Sequence, residues 1–226
     1  VSVRLYLNDG YTAPEFIPDA PVDFESEAYR QMIAKSLVSV GNNVRLKRAI
    51  EKAKAGEDVT IAYIGGSITE GAGATPSQRD CYAKRSYDAF CARFGKRDNV
   101  HYTKAGVGGT SSELGMIRYD RDILGRNAAP DVVIVEYAVN DEGDETKGDC
   151  YETLVRRILQ SDNAPAVILL FAVFEFDWNL QERFIPVGNL YDLPMVSVKD
   201  AVVEQFYLEE GKGRVISKNR FFYDIY

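Results

Sequence analysis

The sequence predicts an α/β protein, a three-layer α/β/α sandwich around a five-stranded parallel sheet. Three observations carry that expectation. From residue 58 onward, short apolar runs alternate with helical patterns, the order that βαβ units produce. Two of the runs, "DVVIVEY" (131–137) and "AVILLFAVF" (166–174), are almost continuously apolar, as strands buried on both faces must be. A length of 226 residues suits one large domain.

Taken in order, strands are expected at 59–64, 100–104, 131–136, 166–171 and 195–198, with helices at 82–94, 112–124, 151–159, 181–190 and 199–207. Upstream, "VRLKRAIEKAKAGE" (44–57) sets Val44, Leu46, Ile50 and Ala53 at helical spacings, with Gly56 as the stop. Residues 1 to 25, with Pro14, Pro18 and Pro21, read as an extended segment. The chain therefore divides into an N-terminal extension with a lead-in helix (1–40) and the α/β domain (41–226).

Bulk properties narrow the function. A net charge of −7 offers no basic footprint for nucleic acid. No apolar run reaches the roughly 18 residues of a membrane span, so no membrane partner is expected. The N-terminus lacks a basic start and an apolar core of signal-peptide type, and Cys81, Cys91 and Cys150 cannot all pair within one chain. A cytoplasmic location with free thiols is the expectation, with secretion left open. The single histidine, His101, excludes a His-rich metal site, and no metal or organic cofactor is expected.

In open α/β sheets, ligands bind beyond the carboxyl ends of the strands, so the loops after each strand carry the chemistry. The first, in "TIAYIGGSITEGAGA" (60–74), has three possible uses. A phosphate loop needs Lys and Ser/Thr after its second glycine, where Ala72 and Gly73 stand. The dinucleotide fingerprint fails at Pro76 and the hydrolase elbow G-x-S-x-G fails at Thr69. A plain turn remains, or a nucleophile, Ser67, held at a strand end. A serine nucleophile needs a base and donors for the oxyanion. The next two strand-end loops, "KAGVGGTSSELG" (104–115) and "EYAVNDEGD" (136–144), supply candidates in the Gly109 backbone and the Asn140 amide. Taken singly, Gly109 also reads as a turn glycine and Asn140 as a loop cap.

In combination these segments resemble the SGNH hydrolases, the GDSL lipase/esterase superfamily. "IGGSITEG" is similar to the family's first block, with Gly66 where aspartate is usual; "AGVGGTSS" and "VEYAVND" are similar to the second and third; "RFFYDIY" resembles the start of the fourth. The resemblance implies Ser67 as nucleophile, the Ser67 and Gly109 N–H groups with the Asn140 amide as oxyanion hole, and Asp224 as the residue that orients a histidine. It spans residues 60–226 and implies an SGNH/flavodoxin-like fold. The form of the blocks, with "ERFIPVGNLYDLPMVSVKDA" (182–201), is closer to bacterial carbohydrate esterases, which implies deacetylation of hemicellulose sugars such as xylan or mannan.

The family's D-x-x-H pattern, started at Asp224, would place its histidine one position past Tyr226. His101 does not replace it: it lies eight residues before Gly109, more than about 10 Å along the strand from the catalytic edge. The domain is therefore expected to continue past residue 226 into that histidine and a final helix. A degenerate homologue that binds carbohydrate without turnover, or an enzyme for longer acyl chains, are the alternatives. Glu70, Asp141 and Glu142 near the pocket are candidates to bind sugar hydroxyls, and Phe174, Phe176 and Trp178 to stack on a sugar.

Overall fold

The computed structural model describes residues 19–126, 129–209 and 211–222. Its elements run α1 (Glu27–Ala34), β1 (Leu37–Ser39), α2 (Val44–Ala55), β2 (Val59–Gly65), α3 (Ser67–Glu70), α4 (Ser77–Asp80), α5 (Tyr82–Phe94), β3 (Val100–Gly106) and α6 (Ser112–Tyr119). They continue as β4 (Val132–Glu136), α7 (Asp149–Leu159), β5 (Ala166–Phe171), α8 (Gln181–Leu190), β6 (Met195–Ser197), α9 (Val198–Phe206) and α10 (Lys218–Phe221). The sheet order is β1-β6-β5-β4-β2-β3. β2 to β6 are mutually parallel, as the sequence predicts, and β1 adds a sixth, antiparallel strand on β6.

Sequence periodicity misses β1 because three residues at a sheet edge hold too little alternation to register. The helix expected over 112–124 is α-helical only to Tyr119; a π turn covers Asp120–Leu124. The last strand closes one residue early because the Ser197 hydroxyl accepts the Asp200 N–H and starts α9. Gly56, at φ 90°, ends α2 in the left-handed conformation that its lack of a Cβ allows.

Strand alternation divides the core. Ala62, Ile64, Val133, Val135, Val167 and Leu169 face one layer, packed by Tyr119, Leu154, Ile158 and Phe184. Val59, Ile61 and Tyr63 face the other, against Ala49, Ala53 and Ala83. No helix among the described residues is long and apolar enough to cross a membrane.

The chain passes from β2 to β3 on one side of β2 and then to β4 on the other. This reversal opens a crevice at the carboxyl ends of β2 and β4. Gly65 is level with both Gly106 and Glu136, so three loops leave the sheet side by side.

Leu169 is fully buried at the centre of the sheet. Leu169→Ala should lower unfolding free energy by about 2–5 kcal/mol. Urea titration checks this: the midpoint should fall with the slope unchanged.

Candidate active site

The Ser67 turn is assembled from the end of β2. Gly66 is the hinge between strand and α3, and Ser67 is the first helical residue. The turn closes through Glu70 N–H to the Gly66 carbonyl at 3.0 Å and Gly71 N–H to the Ser67 carbonyl at 2.9 Å. Gly71, at φ 116°, then sends the chain away. Ser67 itself is only 7% exposed. The carbonyl just before this turn, on Gly65, accepts from Val107 N–H at 3.1 Å and from the Arg118 guanidinium at 2.9 Å.

Two neighbouring loops crowd against this turn. A Cβ built on Gly66 would stand 2.3 Å from Asn140 Oδ1 and 2.6 Å from its Nδ2. The Asn140 amide therefore lies directly on the backbone that precedes Ser67, and only glycine leaves room for it. On the other side, a Cβ on Gly108 would stand 3.7 Å from the Ser67 Cβ. Gly109 follows at φ 70°, with nothing within 4 Å of its Cβ position. Ser67 is thus flanked by the β4 loop and the β3 loop, and Gly109 borders open space.

Two carboxylates expected near sugar hydroxyls hold these loops. Glu70 accepts the Gly108 N–H at 2.9 Å, and its carbonyl accepts from Lys104 Nζ at 2.8 Å. Asp141 is fully buried and accepts the Ser112 N–H at 2.8 Å on one oxygen and the Ser112 hydroxyl on the other. Burial raises the Asp141 pKa, while the two Ser112 bonds oppose the shift. The β4 loop is thereby tied to the first residue of α6. Glu142, at the next position, is exposed.

Trp178 is half-buried on the loop between β5 and α8, stacked on Phe174 with ring centroids 6.4 Å apart, and Phe176 is 71% exposed. Leu180 N–H bonds the Ala138 carbonyl at 2.7 Å, joining this loop to the one that holds Asn140. His101 sits near the amino end of β3, level with Thr60 rather than with Gly65, and its Nε2 meets Asp58 Oδ1 at 2.8 Å. It is remote from Ser67. Asp224 lies outside the described residues.

Sequence reasoning missed a polar layer beneath the site. Arg118 is 3% exposed, and besides Gly65 it donates to the Tyr137 hydroxyl at 3.0 Å and to Asp122 at 3.1 Å. The Arg121 and Arg118 guanidinium groups hold the Asp122 carboxyl below the usual carboxylate range. Glu136 is fully buried, and its Oε2 accepts from the Thr69 hydroxyl at 3.2 Å. One signal was available: a carboxylate inside the apolar run "VVIVEYAV" (132–139) must find a partner.

Residues 63–201 match the GDSL-like Lipase/Acylhydrolase family. Among solved structures, a two-domain esterase active on acetylated mannans superposes at TM-score 0.74 with 33% identity, over 85% of this chain and 50% of that one. The same kind of enzyme co-crystallised with mannopentaose gives 0.72 and 31%, over 83% of this chain and 52% of that one. AlinE4, an SGNH-hydrolase family esterase, shares the fold at TM-score 0.51 and 17% identity, over 69% of this chain and 82% of that one. No curated protein sequence matches the chain significantly. The chain spans about half the length of the two mannan-esterase structures. The family match covers more than half of the chain and takes in the Ser67, Gly109 and Asn140 loops, so the chain belongs to the GDSL-like lipase/acylhydrolase family, the SGNH hydrolases.

Proposed function

We propose that the protein is a serine esterase that removes short acyl groups, acetyl above all, from hemicellulose-type polysaccharides or oligosaccharides. The observation that carries this reading is the Asn140 amide packed against Gly66, which brings a hydrogen-bond donor to the backbone of the nucleophile's turn. Ser67 attacks the ester carbonyl. The Ser67 and Gly109 N–H groups and the Asn140 amide stabilise the tetrahedral oxyanion, and water then releases the acid. The base in this mechanism is a histidine, which the family's D-x-x-H pattern pairs with Asp224. Asp224 holds its tautomer and stabilises its charged form.

The acetylated-carbohydrate substrate is supported by the 33% identity to the esterase active on acetylated mannans. Glu70, Trp178 and Asp141 act in this reading as the sugar-side shell: Trp178 as the stacking surface, Glu70 and Asp141 chiefly by fixing the loops that sugar hydroxyls meet.

A second reading, hydrolysis of longer acyl esters, has one observation in its favour. A cavity of about 500 Å³ beside α3 is lined largely by apolar groups, among them Ile68, Ala72, Leu170, Val173, Val198 and Phe222. Comparison of p-nitrophenyl acetate with the octanoate ester, and of acetylated mannan with acetylated xylan, separates the readings. Higher kcat/KM for octanoate, with no acetate released from either polysaccharide, would overturn the first.

All activity measurements refer to the full-length protein. Ser67→Ala should reduce ester turnover to background. Asn140→Ala should reduce kcat by about 10²–10³-fold, the usual effect of deleting one oxyanion donor; a rate near wild type removes Asn140 from that role. Gly66→Ala should also cripple turnover, because its methyl would occupy the space of the Asn140 amide; steady-state kinetics beside a melting curve checks that the fold survives.

A further inference from the structure

Glu136 is the last residue of β4, level with Gly65 at the end of β2. Val133 and Val135 face the layer of Leu154 and Phe184, so alternation turns Glu136 to the opposite layer. There it meets Thr69, the third residue of the turn that starts at Ser67. Thr69 is fully buried, and its Oγ1 lies 3.2 Å from Glu136 Oε2 and 2.8 Å from the Tyr82 hydroxyl. With the carboxyl proton off Oε2 the donors run Tyr82 O–H to Thr69 Oγ1 and Thr69 O–H to Glu136; with the proton on Oε2 the order reverses. The chain of bonds links β4, α3 and α5 behind the nucleophile.

A one-turn helix closed by so few backbone bonds has little rigidity of its own. The Thr69 hydroxyl, gripped from two elements, resists rotation of the turn and so fixes where the Ser67 hydroxyl points. We propose that Glu136, acting through Thr69 together with Tyr82, is a positioning residue for the Ser67 nucleophile. This inference rests on the serine-esterase reading and deepens it.

Charge gives the brace a working range. The ionisable groups around Glu136 are Tyr82 from α5, Asp141 from the β4 loop, Tyr137 beside it and Tyr151 from α7, with Arg118 beyond, bonded to the Tyr137 hydroxyl. Burial, with Asp141 adding to it, pushes the Glu136 carboxyl up to about 7, and the Thr69 hydroxyl and Ala138 N–H oppose the shift. The folded protein therefore binds this proton more tightly than the unfolded chain. The stability linked to it is complete below about 4.5 and is lost as pH rises through about 7. The Thr69 bond is open to either state of the carboxyl, and an anion at this depth would oppose the negative charge that develops on the oxyanion, so the neutral carboxyl is the working form.

The test compares wild type, Thr69→Val, Thr69→Ser and Glu136→Gln as full-length proteins on p-nitrophenyl acetate from pH 6 to 8.5. Fluorophosphonate titration of the reactive serine counts active sites. Thr69→Val should lose about 10–100-fold in kcat per titrated site, the scale of a small misplacement of a reacting group, with KM within about twofold; Thr69→Ser should restore it. Glu136→Gln, which is neutral at every pH, should keep kcat at pH 6 and lack the alkaline decline of wild type. Unchanged kcat in Thr69→Val, or the same alkaline decline in Glu136→Gln, overturns the proposal. A lower melting temperature with unchanged kcat per site shows a merely structural brace and also overturns it. Wild type without turnover or serine labelling sinks the esterase reading, and this inference with it.

Discussion

The site depends on a constraint of register. β2 lies between β3 and β4, and Gly65 is level with Gly106 and with Glu136. Three chains therefore leave the sheet from the same height, about 4.8 Å from neighbour to neighbour. At that spacing the loops collide unless side chains are removed, and the glycines at 66 and 108 mark two of the collisions. Each gives up a Cβ so that a neighbouring group, the Asn140 amide or the Glu70 carboxylate, can stand against the backbone. A one-residue slip of β4 would carry the Asn140 loop away from Ser67 and turn Glu136 into the opposite layer.

Loops that carry function gain precision only when something rigid holds them. Here the rigid parts are polar, and two of the three, Asp141 and Arg118, are buried. Asp141 fastens the β4 loop to α6 through Ser112, Glu70 fastens the Ser67 turn to Gly108, and Arg118 anchors the Gly65 carbonyl. Burial of such groups costs free energy, and their bonds offset that cost without a large surplus. Their effect is on geometry: they leave the three loops few alternative arrangements. Ser67, at 7% exposure, sits on the turn that these bonds hold.

The same economy explains why carboxylates near an active site need not touch substrate. Asp141 has both oxygens committed to Ser112, so a sugar hydroxyl would have to displace a protein donor to reach it. Trp178 differs. It is half-buried on a loop whose neighbour Phe176 is exposed, and Leu180 ties that loop to the strand end that holds Asn140. In the proposed esterase reading, contact with a sugar and precision of the acyl chemistry fall to different sets of side chains.

Much of this was legible without coordinates. Continuous apolar runs announce strands covered on both faces, because nothing else buries every side chain of a strand. Glycines and small polar residues after those runs mark the strand-end loops that carry the candidate site. Strand β1 was not legible, since it owes its existence to the free edge of β6 rather than to a pattern of its own. Nor were the tasks of Glu70, Asp141 and Glu136, which read alike in one dimension. Sequence by itself determined the order of the strands along the chain and the residue types available at their ends. Only the tertiary structure decided which carboxylate faces a backbone amide, which a serine and which a buried threonine, because those partners lie about 30 to 70 residues away and meet only when the register of the sheet sets them level.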